Sequence, residues 1–298
     1  MPAIYRHRTS GALRLALSVS VPVAVVAWVV GCGEPRSPVA VGSIPELTVE
    51  VGSTESVDLA GHFSDPDGDE LSYAASSSDA EVATVSGDSV AVTGVASGSA
   101  EITVTASDGS LSASQDLTAF VRLTERQVLE ILYGELGGDG WRNNANWKTD
   151  KPLDEWHGVS TNADGRVDTL TLRGNSLTGE IPSELGDLSS LEVLWVLSNS
   201  LTGEIPSELG DLSNLETLGL NHNSLTGEIP PELGDLSNLE WLYLESNSLT
   251  GEIPLDFLDL SSLEWFYWDD NEGLCAPDTT EFDNWLDGLS GWRGPRCD

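Results

Sequence analysis

The chain has 298 residues, of which 49 are acidic and 13 are basic, so its formal net charge at pH 7 is −36. A surface of this sign repels nucleic-acid phosphates, and we expect no nucleic acid among its partners. The excess of carboxylates has two explanations that stay open here. One is a soluble, salt-adapted surface, and the other is attraction for cations or a basic partner.

Residues 1–31 are predicted to be a signal peptide. An apolar run over 15–30 follows three arginines, Arg6, Arg8 and Arg14. The run is shorter than the roughly 20 residues that a plain transmembrane anchor, the alternative, would need. It ends in Val-Val-Gly-Cys32, which resembles the lipobox of bacterial lipoproteins. The resemblance implies an exported protein that a lipid on Cys32 anchors in the bacterial cell envelope, at the outer membrane or cell surface.

Residues 32–42 are predicted to be a tether, and 43–122 a β-domain. Seven short segments of 43–122 alternate apolar and polar residues between Gly, Ser and Asp turns, as the strands of a β-sandwich do. The segments are 47–51, 55–59, 71–75, 82–85, 89–93, 100–105 and 112–121. Two stretches, 63–69 and 91–104, resemble bacterial immunoglobulin-like and cadherin-like modules. The resemblance implies a spacer that could also serve in adhesion.

One turn of this β-domain carries three alternating carboxylates, Asp65, Asp67 and Asp69. Calcium is a hard ion that prefers several oxygen ligands, so these residues are candidate Ca²⁺ ligands. The alternative is an acidic turn between two strands. An EF-hand is excluded, because Ser76 stands where the loop's twelfth residue would be a glutamate.

A fixed period of 24 residues dominates the second half of the chain. The string Asn-Ser-Leu-Thr-Gly-Glu-Ile-Pro begins at Asn175, Asn199, Asn223 and Asn247. Such a period indicates a solenoid whose stacked units bury their apolar sides against each other. The unit resembles the leucine-rich repeat, in the plant-type subclass with Leu-x-Gly-x-Ile-Pro after the asparagine. We therefore expect an α/β solenoid with a parallel sheet over residues 167–270.

Both ends of the solenoid are predicted to be covered. Residues 123–166 resemble the amino-terminal cap of the same family and begin with an amphipathic helix that Thr124 and Gln127 cap. Residues 271–298 resemble the carboxy-terminal cap. An even pair of cysteines in an exported protein predicts a disulfide between Cys275 and Cys297, with two free thiols as the alternative.

The repeats differ mainly at the strand positions that point away from the leucine core. Aromatic and acidic residues there predict a ligand surface on the concave face, because exposed tryptophan and tyrosine mark binding sites. The candidate residues are Trp195, Trp241, Tyr243, Glu245, Trp265, Tyr267 and Asp269. The expected ligand is a protein, peptide or glycan at the cell surface. Alternatively, the carboxy-terminal cap covers Trp265 and Tyr267, or the repeats form an envelope scaffold without a specific soluble ligand.

No catalytic motif accompanies these features. The four histidines lie outside any recognised nucleophile motif, and phosphate-binding loops and metal-ligand spacings are missing from the sequence. The kinase motifs of the plant receptor kinases that carry similar repeats are missing as well. We expect a binding protein rather than an enzyme, with no cofactor apart from the calcium considered above.

Replacing Cys32 by serine should release the protein from membranes, because the lipid would lose its attachment point. Metabolic labelling with a fatty-acid analogue checks the premise. The unchanged chain should take up label and Cys32→Ser should not; an unlabelled parent chain would contradict the lipobox interpretation.

Overall fold

The computed structural model describes residues 34–86 and 90–297, which form a β-sandwich followed by a capped solenoid. The signal peptide predicted over 1–31 and the lipidation predicted at Cys32 lie outside these ranges. Within the described ranges, none of the helices has both the length and the apolar character needed to cross a bilayer.

Nine strands lie in the described part of the β-domain. They are β1 (Val39–Ala40), β2 (Leu47–Glu50), β3 (Thr54–Ser56), β4 (Phe63–Ser64), β5 (Ser72–Ser77), β6 (Ala83–Ser86), β7 (Ala91–Gly94), β8 (Gly98–Ser107) and β9 (Ser112–Arg122). A four-stranded sheet in the order β2-β9-β8-β5 packs with a three-stranded sheet in the order β3-β7-β6. Alternation places Ile102, Val104 and Ala106 of β8 in the core between the sheets, where all three are fully buried.

The seven predicted segments correspond to seven of these strands, and one pair was not predicted. β1 lies inside the stretch expected to be a tether and pairs antiparallel with β4. The prediction was wrong there because two residues are too few to show alternation. Val41 N–H also donates to the carbonyl of His62, at 2.8 Å, so the chain is held to the domain just after β1.

The solenoid opens with helix α1 (Glu125–Glu135), which has the predicted capping box of Thr124 and Gln127. Val128, Leu129 and Leu132 of this helix are fully buried, whereas Ile131 is only half-buried. The Glu125 carboxylate fastens α1 to the first repeat. It accepts from Arg166 Nε at 2.8 Å and from the backbone N–H of Val167 at 2.9 Å.

Seven strands form the main sheet of the solenoid, here called the repeat sheet. They are β10 (Val159–Thr161), β11 (Val167–Thr171), β13 (Val193–Trp195), β15 (Thr217–Gly219), β17 (Trp241–Tyr243), β20 (Trp265–Tyr267) and β22 (Gly291–Arg293). All neighbouring pairs are parallel except β10–β11. The register advances by one repeat per strand, so Leu194, Leu218, Leu242 and Phe266 form one buried row.

Short elements complete each unit on its other sides. Small parallel sheets are made by β12 (Thr178–Glu180) with β14 (Ser200–Thr202), β16 (Thr226–Gly227) with β18 (Ser248–Leu249), and β19 (Gly251–Glu252) with β21 (Leu274–Cys275). Short 3₁₀ helices follow at Ser183–Asp187, Ser207–Asp211, Pro231–Asp235 and Leu255–Asp259. They begin directly after the repeat prolines, Pro182, Pro206, Pro230 and Pro254.

A carboxy-terminal cap closes the stack. Helix α2 (Thr280–Gly288) buries Phe282 and Leu286 against the last unit, and Thr279 caps it by accepting from the N–H of Phe282. The predicted disulfide between Cys275 and Cys297 is present, with its Cα atoms 4.9 Å apart. The strand after α2, β22, was not predicted, because Gly291-Trp292-Arg293 carries none of the repeat's leucines.

Removing the disulfide should lower the stability of the last repeat and its cap by about 3 kcal/mol, since the bridge closes a loop with a sequence separation of 22. Thermal unfolding with and without a thiol reductant measures the effect. A Cys275→Ala/Cys297→Ala variant is the control, because reductant should not shift its melting temperature. Equal melting temperatures for oxidised and reduced parent chain would contradict a stabilising role.

Candidate functional site

The outward side of the repeat sheet, here called the sheet face, carries the residues that vary between units. In β13, β17 and β20 the middle residue is buried while its two neighbours are partly exposed, so alternate side chains leave the core. The second outward position of each strand forms a row across the sheet. Its members are Thr171, Trp195, Gly219, Tyr243, Tyr267 and Arg293.

Gly219 gives this row its shape. Because the third unit has no side chain there, the Trp195 ring lies across the intervening strand and stacks on Tyr243, with ring centroids 5.5 Å apart and planes 20° apart. A Cβ atom at Gly219 would lie 2.1 Å from Cε3 of Trp195, far inside van der Waals contact. The glycine is therefore required by the ring above it.

The aromatic contacts continue toward the carboxy-terminal cap. Tyr243 contacts Tyr267 with centroids 5.4 Å apart, and Tyr267 contacts Trp265 edge-on at 6.3 Å. We call Trp195, Tyr243, Tyr267 and Trp265 the aromatic lane. Trp241 is half-buried on the same face, but no aromatic pair in the described part of the chain includes it. The fourth ring of the aromatic lane is therefore Trp195, which lies two strands from Tyr243, and not Trp241.

Strand β22 covers the end of the lane in part. Arg293 places its guanidinium carbon 4.6 Å from the centroid of Tyr267 and donates from Nε to Asp269 Oδ1 at 3.0 Å. The Trp265 ring lies over Gly291, whose added Cβ would be 2.5 Å from Cζ3 of the ring. The predicted ligand residue Asp269 is thus already paired with a basic side chain, and the cap contributes to the sheet face.

A depression of about 390 Å³ opens beside the lane. Its lining residues come from the first five strands of the repeats and their ends, and are Thr171, Arg173, Trp195, Leu197, Asn221, Tyr243, Glu245 and Tyr267. Two of them are polar and deeply buried, since Asn221 and Glu245 are each only 8% exposed. Asn221 Nδ2 donates to Glu245 Oε1 at 2.8 Å.

Burial changes the acid–base properties of two groups in this depression. Loss of hydration raises the pKa of Glu245 above 4.5, its ordinary value. A backbone hydrogen bond at Glu245 itself opposes the rise, the negative charge of Asp269 adds to it, and His222 and Arg293 oppose it. Burial, with smaller contributions from Tyr267 and Glu245, also raises the pKa of the Tyr243 phenol, which stays neutral. The depression therefore holds a carboxylate whose charge is poorly compensated by its own surroundings.

A larger groove of about 1110 Å³ lies on another side of the solenoid. It is bounded by side chains of the repeated Gly-Glu-Ile-Pro segments, among them Glu180, Glu204 and Glu228. These residues belong to the consensus and have structural roles. The Glu180 side chain, for example, lies over Gly203, where a Cβ would come within 2.7 Å of Glu180 Cγ. Size alone therefore does not make this groove the better candidate.

Two of the candidate calcium ligands, Asp65 and Asp67, have hydrogen-bond partners in the structure. Asp65 Oδ1 accepts from the backbone N–H groups of Asp67 and Asp69, at 2.7 and 3.2 Å. Asp67 is hydrogen-bonded by the backbone and the guanidinium of Arg36, which lowers the pKa of its carboxyl. Within 34–86 and 90–297, no three acidic, histidine or cysteine side chains are placed to hold a metal ion. These contacts agree with the acidic-turn alternative, and calcium binding at Asp65, Asp67 and Asp69 stays a prediction.

Six residues of the site were not among the sequence-based candidates, namely Thr171, Arg173, Leu197, Gly219, Asn221 and Arg293. Gly219 is the outward position in the third unit that lacks a side chain, and Asn221 is the neutral polar residue one strand from Glu245. The missing side chain at Gly219 was visible in the sequence. Its consequence, a ring reaching across two strands, depends on side-chain directions that periodicity does not give.

Comparison with protein families agrees with this division of the chain. Residues 40–116 match the bacterial Ig-like domain (group 2). Residues 166–188, 190–212, 214–236 and 238–260 match the Leucine Rich Repeat. Among curated proteins, none matches the chain.

Solved structures of plant leucine-rich repeat proteins are similar to the solenoid. The BIR2 ectodomain from Arabidopsis thaliana is 31% identical, with 59% of this chain and 95% of that chain covered and a TM-score of 0.53. PEPR1–AtPEP1 is 29% identical with a TM-score of 0.53, over 57% of this chain but only 24% of that chain. A plant ice-binding protein is 28% identical with a TM-score of 0.50, over 57% of this chain and 56% of that chain.

Replacing Glu245 by glutamine should stabilise the free repeat domain at pH 7. A folded-state pKa above the unfolded value means that protonation of Glu245 favours folding; this contribution is full below pH 4.5 and is lost as pH rises through the folded-state pKa. Glutamine stays neutral throughout, so the melting temperature should rise by about 2–4 °C at pH 7, as for a gain near 1 kcal/mol. Glu264→Gln, an exposed carboxylate at the start of β20, is the control.

The difference between Glu245→Gln and the parent chain should shrink as the pH is lowered below 4.5, where both side chains are neutral. Melting temperatures of the parent chain and of Glu245→Gln, measured across pH 4 to 8, test this expectation. A variant that is less stable than the parent chain at pH 7 would show that the carboxylate is compensated in the free protein.

Proposed function

The chain belongs to the leucine-rich repeat family, and we propose that it is a cell-surface lipoprotein that binds a protein or peptide ligand through the sheet face, the concave side of its solenoid. The immunoglobulin-like domain then acts as a spacer between the anchor at Cys32 and the repeats. We further infer that the chain acts by binding and not by catalysis, as its two families typically do.

The observation that carries this proposal is the contrast between the two sides of the repeat strands. The inward positions are nearly constant and fully buried, as the row of Leu194, Leu218 and Leu242 shows. The outward positions vary between units, although the fourth and fifth units share a Trp-x-Tyr pair, and they place the rings of Trp195, Tyr243 and Tyr267 in successive contact. Packing of the core does not require aromatic residues there, whereas recognition surfaces are enriched in them.

Two related structures support a recognition role at a cell surface. The structure of PEPR1 pairs it with AtPEP1, and that of BIR2 is described as an ectodomain. The lipobox-like end of the apolar segment at Gly31-Cys32 supports attachment to an envelope membrane. A net charge of −36 favours a partner with basic groups over one with acidic groups.

Two other functions stay in competition. A glycan could stack on the aromatic lane, because flat rings also suit sugar faces. An adhesive or structural scaffold would use the repeats without a soluble ligand, and would show self-association or matrix contacts instead of saturable binding. A peptide library displayed on phage and a glycan array, both probed with the full chain, separate these possibilities.

Replacing Trp195 and Tyr243 together by alanine should weaken binding of the selected ligand by more than about 2 kcal/mol, the range of interface hot spots. The fold should persist, because neither ring belongs to the leucine core and both are only half-buried. Affinity is measured by isothermal titration, with circular dichroism as the folding check.

The matched control for the double variant is Leu255→Ala, which removes an apolar side chain that is 56% exposed in the last 3₁₀ helix, away from the repeat sheet. Its affinity should equal that of the parent chain. Saturable binding that the double variant leaves unchanged would place the ligand elsewhere, and the absence of any saturable ligand would favour the scaffold.

A further inference from the structure

We propose that the depression beside Glu245 is a binding site for one basic side chain, lysine or arginine, of a peptide segment in the ligand. The inference rests on the proposed peptide-binding function of the sheet face and adds the chemical class that its central site selects.

Two buried acceptors lack a donor in this depression. Glu245 Oε2 and Asn221 Oδ1 are both buried, and neither has a hydrogen-bond partner among the described residues. Asn221 uses its amide hydrogen on the other carboxylate oxygen, Glu245 Oε1, so the pair cannot satisfy itself. Leaving a buried polar atom unpaired costs stability, and charged groups cost the most. The site therefore calls for a donor from outside.

The donor that fits must also carry positive charge. A water molecule can donate to both oxygens but leaves the carboxylate charge unbalanced. An ammonium group brings three N–H donors and a guanidinium group brings five, and each supplies the missing charge. Charge-assisted hydrogen bonds of this kind are about twice as strong as those between neutral groups.

The walls of the depression suit an organic cation. Trp195, Tyr243 and Tyr267 line it with aromatic surface, and a cation over such a ring is attracted by the negative face of its π-system. The apolar stem of a lysine or arginine can pack on the same rings. A volume of about 390 Å³ lies at the small end of the range typical for ligand pockets.

The chain itself contains this combination one strand away. Arg293 of β22 lies over the ring of Tyr267 at 4.6 Å and pairs with Asp269 at 3.0 Å. Tyr243 and Glu245 are the equivalents of Tyr267 and Asp269 in the preceding unit. The intramolecular contact thus shows that a tyrosine and the carboxylate two residues later can hold a guanidinium on this sheet.

Arg173 is the basic residue that lines the depression, and no ion pair among the described residues joins it to Glu245. It belongs to the first unit, three strands from Glu245, so the two backbones lie about 14 Å apart at a strand spacing of about 4.8 Å. Arg173 is also exposed, so solvent screens its charge.

The test starts from a random peptide library panned against the full chain. We expect the enriched peptides to share a lysine or arginine at one position. The best peptide is then made in two forms, one with the basic residue and one with a neutral isostere, citrulline for arginine or norleucine for lysine. Both forms are titrated against the parent chain, Glu245→Gln and the control Glu264→Gln.

The site predicts a coupled result. Glu245→Gln should lower the affinity for the basic peptide at least 10-fold. Glu264→Gln should lower it less than 2-fold. The neutral peptide should bind the parent chain at least 10-fold more weakly than the basic peptide does. The affinities of the two peptides for Glu245→Gln should differ by less than 3-fold, because the positive charge of the basic peptide no longer has a carboxylate to pair with. Circular dichroism verifies that all variants are folded.

The remaining outcomes contradict either this inference or the function beneath it. Enriched peptides without a shared basic residue would contradict the cation site. The cation site would also be wrong if the neutral peptide lost as much affinity for Glu245→Gln as it does for the parent chain. Peptide recognition at the sheet face then still stands, provided that Trp195→Ala/Tyr243→Ala abolishes binding. If the library yields no saturable peptide, the proposed function itself fails, and the cation site fails with it.

Discussion

The repeated asparagine amide is the interaction on which the rest of the solenoid depends. Asn199 donates from Nδ2 to the carbonyls of Leu172 and Val196, and its Oδ1 accepts from the backbone N–H groups of Asn175 and Leu177. Each amide therefore bridges its own turn and the turn before it. Asn223, Asn247 and Asn271 make equivalent bonds one, two and three units later. Because the backbone N–H of Leu177 has no other partner among the described residues, loss of the Asn199 amide would leave it unpaired.

Because successive units repeat in the same register, their outward side chains form regular rows on the sheet face. Each outward side chain lies about 4.8 Å from its equivalent in the next unit, so a row of residues behaves as one continuous surface. A single missing side chain then changes the whole row. At Gly219 it lets the Trp195 ring lie down and stack on Tyr243, and this extends the aromatic lane over four strands. The depression that holds Glu245 lies beside the same rings, so the cation site also depends on this glycine.

Much of the fold could be predicted from the sequence because its physical causes are local or periodic. The solenoid followed from the 24-residue period, the cap of α1 from Thr124 and Gln127, and the disulfide from an even pair of cysteines. Strands β1 and β22 escaped prediction, since the first has two residues and the second lacks the repeat's leucines. At the site, the face and most residues were predicted, but their partners were not. Trp195 rather than Trp241 completes the lane, and Asn221 donates to Glu245. Such contacts depend on ring orientation and on the size of neighbouring side chains.

The most direct test of this account is the substitution of Gly219 by alanine. The added methyl group changes neither charge nor core, and the three atoms nearest to it would all belong to the Trp195 ring. Gly134→Ala in α1, where a Cβ would have no atom within 4 Å, is the control. Nuclear Overhauser contacts between the Trp195 and Tyr243 rings should disappear in Gly219→Ala, and affinity for the library-selected peptide should fall at least 10-fold while the fold is retained. Ring contacts that vanish without any loss of affinity would contradict the claim that this glycine builds the binding surface.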